Sequence, residues 1–362
     1  MEFVVKRSEM SFHLDSLSRA VASRPIRPVL NGVLFELKDG LTMTATDMEF
    51  TVRSKISSIS GEGAFVVDAK TIHEIVKSLP GDEVHFSKKG DKLEISSNKS
   101  KFQIFTQDAE EFPEVRIPED GAQYELDRAK LAEMIDRVSF SAATDESMRN
   151  LNGVYFEMED GNFRTVGVDG FRMSLAEEKI DSTGNLNFLI SLKAVRELAR
   201  SLGVASVEKI NMRFENRQVA FEIGNVVLVC KVVDADFPNY KRVIPEEFKT
   251  RVIVNRNELH GAVKRASIVT RSGTEAVKFT IEEERLKISS KSVDLGEAEE
   301  TLEVQTEGEP LVLAFNPAFV LDALNHTNEE KVQLNFVDAN KPLMIDTPDL
   351  EGYFFIVMPV RI

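Results

Sequence analysis

The residue types that commonly do chemistry are present in this chain, but their spacing does not match a catalytic or metal site. The five histidines are scattered without the spacing of metal ligands, at His13, His73, His85, His260 and His326. The single cysteine, Cys230, has no neighbouring partner for zinc, and neither a Gly-Lys-Ser/Thr loop nor a Gly-x-Gly-x-x-Gly turn is present. The sequence therefore predicts a non-catalytic protein without a metal or cofactor.

Two aspartates could be imagined as a catalytic carboxylate pair. However, Asp47 in Thr-Asp-Met-Glu and Asp169 in Val-Asp-Gly-Phe lie at the same point of a repeated segment. A repeated position favours a repeated structural role, so we interpret both residues as turn residues.

Basic side chains at helical spacing offer the most informative chemistry. Lys193, Arg196 and Arg200 are three and four residues apart and fall opposite an apolar stripe at 100° per residue. Such a row of cations can bind phosphate groups without reading bases. Similar side chains on other predicted helices are Lys70, Lys77, Lys130, Arg137 and Lys264. A charged face opposite an apolar one is also typical of any surface helix, so this alternative stays open.

Six segments have the apolar periodicity of helices, and shorter segments alternate like strands. The predicted helices cover residues 8–22, 69–79, 127–140, 191–202, 256–268 and 316–325. Asp127, Ser191 and Asn316 suit their N-caps. Strands are predicted at 33–37, 92–96, 217–223 and 226–232, with turns at 39–40, 160–161 and 224–225. This is an α+β arrangement.

The charge of the helices contrasts with the charge of the chain. With their flanking residues the helices carry about +7, whereas the chain carries −15, which leaves about −22 elsewhere. One surface would then attract phosphates while the others repel them.

A unit of about 120 residues occurs three times. Residues 30–40, LNGVLFELKDG, reappear at 151–161 as LNGVYFEMEDG, and a weaker copy begins at Val277. Phe-Pro at 112–113 corresponds to Phe-Pro at 237–238 and to Met-Pro at 358–359. We predict three domains, 1–120, 121–247 and 248–362, with turn-rich boundaries.

Composition is that of a globular protein, with 42% apolar and 29% charged residues. No apolar run approaches the roughly 20 residues of a membrane span, and the first residues alternate like a strand instead of forming a signal peptide. One cysteine allows no internal disulfide, so we expect a cytoplasmic protein.

Several motifs resemble those of the bacterial sliding clamps, the beta subunits of DNA polymerase III. The matching segments are 24–30 (RPIRPVL), 46–49 (TDME), 151–153 (LNG), 169–172 (DGFR), 234–245 (DADFPNYKRVIP) and 357–362 (VMPVRI). The Asp-x-x-Phe-Pro-x-Tyr-x-Arg run and the Met-Pro-x-Arg terminus are the specific ones, and the resemblance runs from end to end.

The resemblance implies three clamp-type domains per chain, each with two helices on the inside and antiparallel sheets outside. A head-to-tail homodimer would close a ring around double-stranded DNA and confer processivity by tethering the replicative polymerase. The basic helix residues above would face DNA, together with Arg24 and, in the loop 144–150, Arg149. The paired aromatic residues often found before Leu151 in the family are replaced here by Arg149 and Asn150.

A head-to-tail contact needs two unlike surfaces. The sequence offers Lys99, Lys101, Phe102 and Ile104 in the first unit, and Glu297, Glu299, Glu300 and Glu303 in the third. The family also places an apolar pair where Ile268 and Val269 stand.

The resemblance further implies a pocket for short peptides of the replicative polymerase, the clamp loader and repair polymerases. Its residues in the second domain are Leu151, Gly170, Phe171, Arg172, Met173, Pro238, Arg242 and Val243. Those in the third are Asn316, Phe319, Pro342, Ile356, Met358, Pro359, Val360, Arg361 and Ile362. Apolar walls would accept a Leu or Phe anchor, and Arg172 and Arg361 could bind polar groups. Phe171 stands where the family usually has histidine.

A second interpretation stays open: a peptide-binding scaffold with clamp-like domains that never encircles DNA. It would share the pocket but lack ring closure, so the oligomeric state separates the two.

Overall fold

A similar order of strands and helices occurs three times along the chain, as the repeat predicts, with one additional short strand in the third copy. The computed structural model describes residues 1–22, 25, 27–181, 184–270, 276–348 and 350–361. The first third contains β1 (Glu2–Lys6), α1 (Arg7–Ala20), β2 (Gly32–Leu37), β3 (Leu41–Thr46), β4 (Phe50–Ile56), β5 (Gly63–Asp68), α2 (Ala69–Ser78), β6 (Glu83–Lys89), β7 (Lys92–Ser97) and β8 (Ser100–Phe105). The second contains β9 (Ala122–Asp127), α3 (Arg128–Ser139), β10 (Gly153–Glu159), β11 (Asn162–Val168), β12 (Arg172–Lys179), β13 (Leu186–Ser191), α4 (Leu192–Val204), β14 (Lys209–Glu215), β15 (Gln218–Ile223) and β16 (Val226–Lys231). The third contains β17 (Thr250–Asn255), α5 (Arg256–Ala266), β18 (Val277–Ile281), β19 (Arg285–Ser292), β20 (Gly296–Glu303), β21 (Gln305–Gly308), β22 (Leu311–Phe315), α6 (Pro317–Asn325), β23 (Lys331–Phe336), β24 (Leu343–Thr347) and β25 (Leu350–Val357).

The predicted helices are confirmed, with ends shifted by one or two residues. Their predicted caps are confirmed as well. Asp127 Oδ1 accepts the N–H of Lys130 at 2.9 Å, and Asn316 Oδ1 accepts the N–H of Ala318 at 2.9 Å. Ser191 Oγ accepts the N–H of Ala194 more weakly, at 3.4 Å. Each cap satisfies a donor that the first helical turn leaves without a partner in the helix.

Two long antiparallel sheets continue across the boundaries of the repeat. One has the order β5-β2-β3-β4-β16-β15-β14-β9, and the other β13-β10-β11-β12-β25-β24-β23-β17-β21. We call the β4–β16 pairing the first seam and the β12–β25 pairing the second seam. In the first seam Val52 lies opposite Leu228, and in the second Met173 lies opposite Ile356.

Because of the seams, the compact units of the fold do not coincide with the repeat. Unit 1 consists of Met1–Ala132 and Arg196–Val232, and unit 2 of Glu133–Val195 and Val233–Ile362. Each long sheet lies within one unit. The four-stranded sheet β1-β6-β7-β8 belongs to unit 1, and β20-β19-β18-β22 belongs to unit 2.

Buried aromatic pairs occupy repeated positions in the cores. The rings of Phe35 and Phe65 stack with centroids 5.1 Å apart in unit 1, and one stacked pair in unit 2, Phe156 and Phe188, has the same separation. Such pairs contribute burial and ring contacts together. No helix in the described part of the chain is long and apolar enough to cross a membrane.

Candidate functional site

A tight turn precedes β12 at the second seam. Asp169 Oδ1 accepts the backbone N–H groups of Phe171 at 2.9 Å and Arg172 at 3.0 Å, which confirms its predicted turn role. Gly170 has φ +91°, a conformation that residues with a Cβ rarely adopt. The turn leaves Phe171 63% exposed, so a large aromatic side chain lies at the surface.

Arg172 ties this turn to two other parts of unit 2. Its Nε donates to Asp169 Oδ2 at 2.9 Å, its Nη1 to Asp322 on α6, and its Nη2 to the Phe140 carbonyl at 2.9 Å. The guanidinium carbon also lies 4.7 Å from the ring centroid of Phe319. Three of the five N–H donors are thus engaged within the chain. Arg172 therefore holds the wall of the pocket in place more than it offers donors to a ligand.

Phe171, which is exposed, and Phe319, which is half-buried, form an aromatic wall beside the C-terminal segment. Their ring centroids are 6.4 Å apart, with an interplanar angle of 22°. Met358, 40% exposed, donates its N–H to the Phe171 carbonyl at 2.9 Å, and Val360 is 37% exposed. This patch of large exposed apolar side chains suits the apolar anchor of a ligand.

Met173 and Ile356 require a correction, because they do not line the pocket. Each is 2% exposed and belongs to a buried cluster with Tyr240. Other side chains cover both residues, so they support the pocket from below and do not contact a ligand directly.

Tyr240 also anchors the segment that carries the remaining pocket residues of the second domain. Its hydroxyl donates to Glu157 Oε2 at 2.6 Å, and burial raises its pKa. The 3-10 turn that it begins leaves Pro238, Arg242 and Val243 exposed.

The other predicted pocket residues are distributed unevenly. Leu151, Asn316, Pro342 and Pro359 are half-buried, and Arg361 is exposed. Asn316 uses its side-chain oxygen to cap α6. Ile362 lies outside the described residues.

Most of the predicted phosphate-binding side chains are exposed. These are Lys70, Lys77, Lys130, Arg149, Lys193, Arg196, Arg200 and Lys264. Arg24 lies outside the described residues.

Arg137 is the exception, and its predicted phosphate contact is wrong. The residue is 7% exposed, with its guanidinium carbon 4.3 Å from the ring centroid of Tyr353. It also forms ion pairs with Glu133 and, at 3.3 Å, with Glu329. A guanidinium that is buried and paired in this way cannot reach a phosphate outside the protein.

Two edge strands carry the predicted subunit contacts. On β8, Lys101 is exposed, Phe102 is 38% exposed and Ile104 is half-buried; Lys99 is exposed in the preceding turn. Phe105 on the same strand, which no sequence motif indicated, is 72% exposed. On β20 the exposed acidic residues are Glu297, Glu299 and Glu303, and Glu300 is half-buried. Just after α5, Ile268 is 73% exposed and Val269 is half-buried.

Most of the charged side chains assigned to these two surfaces form ion pairs within the chain. Lys101 pairs with Glu94 at 2.8 Å. The β20 carboxylates pair within the chain as Glu297 with Lys291, Glu299 with Lys287, and Glu300 with Arg265. Pairing with another chain would have to exchange these contacts, so the backbone edges and apolar side chains are what the strands offer directly.

Two acidic helix residues without a predicted site role each bind an arginine. Glu197 on α4 is 2% exposed and accepts Arg19 Nε at 2.6 Å, and Asp322 on α6 accepts Arg172. Each acid stands six residues after its N-cap, Ser191 or Asn316. The shared position relative to the N-cap was the sequence signal that could have identified both residues. Among the described residues, no group of three His, Cys, Asp or Glu side chains could hold a metal ion.

Known proteins of one family match this chain from end to end. Three family models match: the N-terminal, central and C-terminal domains of the DNA polymerase III beta subunit, at residues 1–116, 125–239 and 241–361. The beta sliding clamp of Haemophilus influenzae is 30% identical, with 100% of both chains covered. A crystal structure of the DNA polymerase III beta subunit of Thermotoga maritima is 44% identical with a TM-score of 0.94, covering 100% of this chain and 99% of that one. The Pseudomonas aeruginosa sliding clamp bound to griselimycin is 27% identical with a TM-score of 0.95, covering 100% of both chains.

Proposed function

Because the chain belongs to the DNA polymerase III beta subunit family, we propose that it is a DNA sliding clamp. It encircles duplex DNA and tethers the replicative polymerase and other replication and repair proteins, which makes synthesis processive. The observation that carries the proposal is the match of all three clamp domains over the whole chain. We set the domains at 1–120, 121–247 and 248–362, and assign the protein a non-catalytic role in the cytoplasm.

Contacts with DNA are weak and independent of sequence. The exposed lysines and arginines of the helices, with Arg149 and Arg24, are the proposed contacts. Charge attraction of this kind falls steeply with salt and reads no bases, so the protein can slide. Retention then comes from the closed ring and not from affinity.

The ring is a head-to-tail homodimer in which β8 of one copy pairs with β20 of the other. Both strands are edges of antiparallel sheets, with backbone N–H and C=O groups available on their outer sides. Phe102, Ile104, Ile268 and Val269 supply the apolar centre of the contact. A contact between two unlike surfaces closes a ring of two copies when each contact rotates the next copy by half a turn, so that the second contact returns to the first copy.

Peptide motifs of the replicative polymerase, the clamp loader and repair polymerases bind at the aromatic wall of unit 2. Phe171, Phe319, Met358 and Val360 receive an apolar anchor, and Arg242 and Arg361 remain exposed for polar groups. Since phenylalanine replaces the usual histidine at position 171, contact there is apolar.

The test is retention on DNA of different topology. The protein is loaded onto nicked circular DNA by a matched clamp loader with ATP, and half of the sample is then linearised. We expect retention on circles at raised salt and loss from linear ends. Equal retention on both forms would replace the ring with the non-encircling scaffold. An Ile268→Asp variant, expected to weaken the dimer, should lose retention on circles, whereas a Val293→Asp variant at another exposed site should keep it.

A further inference from the structure

Unit 1 contains a cavity of about 640 Å³ between α1 and the segment that follows α4. Its apolar lining includes Phe12, Val204, Val207, Ile223 and Val226. Phe12 is 46% exposed and Val204 is 64% exposed, so the apolar lining reaches the surface. Small-molecule sites commonly have volumes of roughly 300–1,000 Å³ and apolar walls with a few polar groups.

The repeat explains why space remains here. In unit 2 Arg137 lies over Tyr353. At the corresponding positions unit 1 has Ser16, 121 residues before Arg137, and Val226. Val226 lies opposite Ser54 in the first seam, as Tyr353 lies opposite Ala176, 122 residues after Ser54, in the second. The cavity lining also includes the small residue Gly203. These side chains are smaller than Arg137 and Tyr353. They therefore leave open in unit 1 a volume that the guanidinium and the phenol fill in unit 2.

The charged end of the cavity contains one arginine that is weakly paired. Glu197 is buried and accepts Ser16 Oγ at 2.5 Å and Arg19 Nε at 2.6 Å, so its charge is compensated. Asp15 also pairs with Arg19, at 2.6 Å. Arg200 is 57% exposed, and its ion pair with Glu197 is long, at 3.5 Å. The group at this end that can best accept a new partner is therefore a cation.

Two further lining residues have a polar atom without a partner. His13 Nδ1 and Ser54 Oγ make no hydrogen bond to any residue that the structure describes, although the residues are 5% and 2% exposed. A buried polar atom in this state costs about 1–3 kcal/mol, so a ligand group that satisfies it is favoured. Burial lowers the pKa of His13 below 6.5, and the neutral ring can donate or accept.

We propose that this cavity is a second ligand site, which binds a small aromatic or branched aliphatic carboxylate. The apolar body lies against Phe12 and Val204, and the carboxylate pairs with Arg200. A second polar substituent can reach His13 or Ser54 when the wall adjusts around the ligand. The site is separate from the peptide pocket, whose residues lie in unit 2.

The first test is a ¹⁹F NMR titration of the full-length protein with 4-(4-fluorophenyl)butyrate and, as a matched probe, its uncharged primary amide. We expect the carboxylate to bind about threefold to tenfold more tightly, because a partly exposed arginine adds a modest charged hydrogen bond. Equal affinities would overturn the assignment of a carboxylate. No binding of either probe up to ~10 mM would overturn the site itself.

Variants locate the site. Val204→Trp should fill the apolar wall and lower the affinity for the carboxylate at least about tenfold, whereas Val293→Trp, at a fully exposed valine outside the cavity, should not. Arg200→Gln should reduce the carboxylate to the affinity of the amide, and Arg196→Gln on the same helix should leave both unchanged. Equal binding by Val204→Trp and the unaltered protein would place the probe elsewhere and refute the proposal. Phe171→Ala tests the peptide pocket as that alternative place.

Discussion

At the second seam an arginine from the strand, Arg172, reaches Asp322 on α6, whereas at the first seam an arginine from a helix, Arg19 on α1, reaches Glu197 on α4. Aligning the repeats shows that arginine and phenylalanine occupy swapped positions at the two seams. Position 172 corresponds to Phe50, 122 residues earlier, and position 19 corresponds to Phe140, 121 residues later. Each seam thus combines an arginine, an aromatic residue and a helix carboxylate, but the arginine and the aromatic residue trade places.

The exchange decides which side of each seam can take a ligand. At the second seam the strand arginine holds an aromatic wall that includes Phe171, 63% exposed. At the first seam Phe50 is 2% exposed, so the strand side is closed by an apolar side chain. The helix arginine instead lines the cavity in unit 1. One framework therefore offers a surface pocket in one unit and a cavity beside helices in the other.

The largest expected effect is on stability at the first seam. Arg19→Met leaves Glu197, whose side chain is 3% exposed, without its main partner. An uncompensated buried charge costs about 3–5 kcal/mol, and we expect a loss near the lower figure because Ser16 and Arg200 remain. Urea unfolding gives the magnitude, and hydrogen exchange followed by mass spectrometry locates it.

Exchange should increase in unit 1 and not in unit 2. The double variant Arg19→Met with Glu197→Gln removes the charge and should recover much of the loss. If the double variant is as unstable as the single one, the charge is not the cause, and the comparison of the seams fails at this point.

At the second seam the corresponding loss should be smaller. Arg172→Met leaves Asp169 and Asp322, whose side chains are 16% and 42% exposed, so water can solvate both carboxylates in part. We expect a loss of about 2 kcal/mol together with a peptide affinity at least about tenfold weaker, since the aromatic wall loses its support. Fluorescence anisotropy with a peptide carrying a Leu or Phe anchor measures the affinity.

Arg149→Met is the matched control, because Arg149 is exposed in unit 2 outside the pocket. It should leave both stability and peptide affinity unchanged. Unchanged peptide binding in Arg172→Met would show that the wall does not depend on the arginine.

The two turns differ in a way that predicts opposite effects. Asp47 Oδ1 accepts the N–H groups of Glu49 at 3.0 Å and Phe50 at 2.8 Å, as Asp169 does in its own turn. The next residue has positive φ in both, +91° at Gly170 and +77° at Met48. Gly170→Ala should lose about 1–2 kcal/mol, whereas Met48→Gly should gain up to about 0.5 kcal/mol once the entropy of glycine is included.

Thermal unfolding of both variants tests this pair. A Cβ at Gly170 would meet no atom within 4 Å, so a loss there reports backbone conformation and not a clash. If Met48→Gly instead lowers the melting temperature, the methionine side chain stabilises the fold by more than its positive φ destabilises it.

The smallest effect concerns acid. His13 in unit 1 corresponds to Met134 in unit 2, so only the first of these positions titrates. Burial lowers the pKa of His13 in the folded state below 6.5, so the unfolded state binds more protons below that pH. Stability should therefore fall as the pH is lowered through about 6.5, and this group should contribute little pH dependence well above that value.

Urea unfolding at several pH values measures the slope, and His13→Met should remove this contribution. A slope that is the same in His13→Met would assign the acid sensitivity to other groups.

Local signals were sufficient to predict the helices, their caps and the Asp47 and Asp169 turns, because apolar periodicity and Asx hydrogen bonds depend on residues close in sequence. Arg137 shows where this fails. Its spacing on α3 is that of an exposed cation, but Tyr353, whose hydroxyl bonds the Arg137 carbonyl, is 216 residues away. Likewise the sequence placed Glu299 and Glu300 on a subunit-contact surface, but it did not show that they pair within the chain with Lys287 on a neighbouring strand and Arg265 on a helix. The spacing of a charged residue along a helix or strand does not show which residues, distant in sequence, lie next to it in the fold.

The seams also constrain the order in which the chain can fold as it is synthesised. Strand β12 ends at Lys179, but its partner β25 begins at Leu350, about 170 residues later, so β12 is an edge strand until β25 is made. At roughly 5–20 residues per second, this interval lasts on the order of 10–30 s. During that time the apolar residues Met173 and Leu175 lie on a strand whose backbone has no partner on one side. A nascent chain therefore passes through a period of exposure to misassembly that ends only when β25 has been synthesised and can pair with β12.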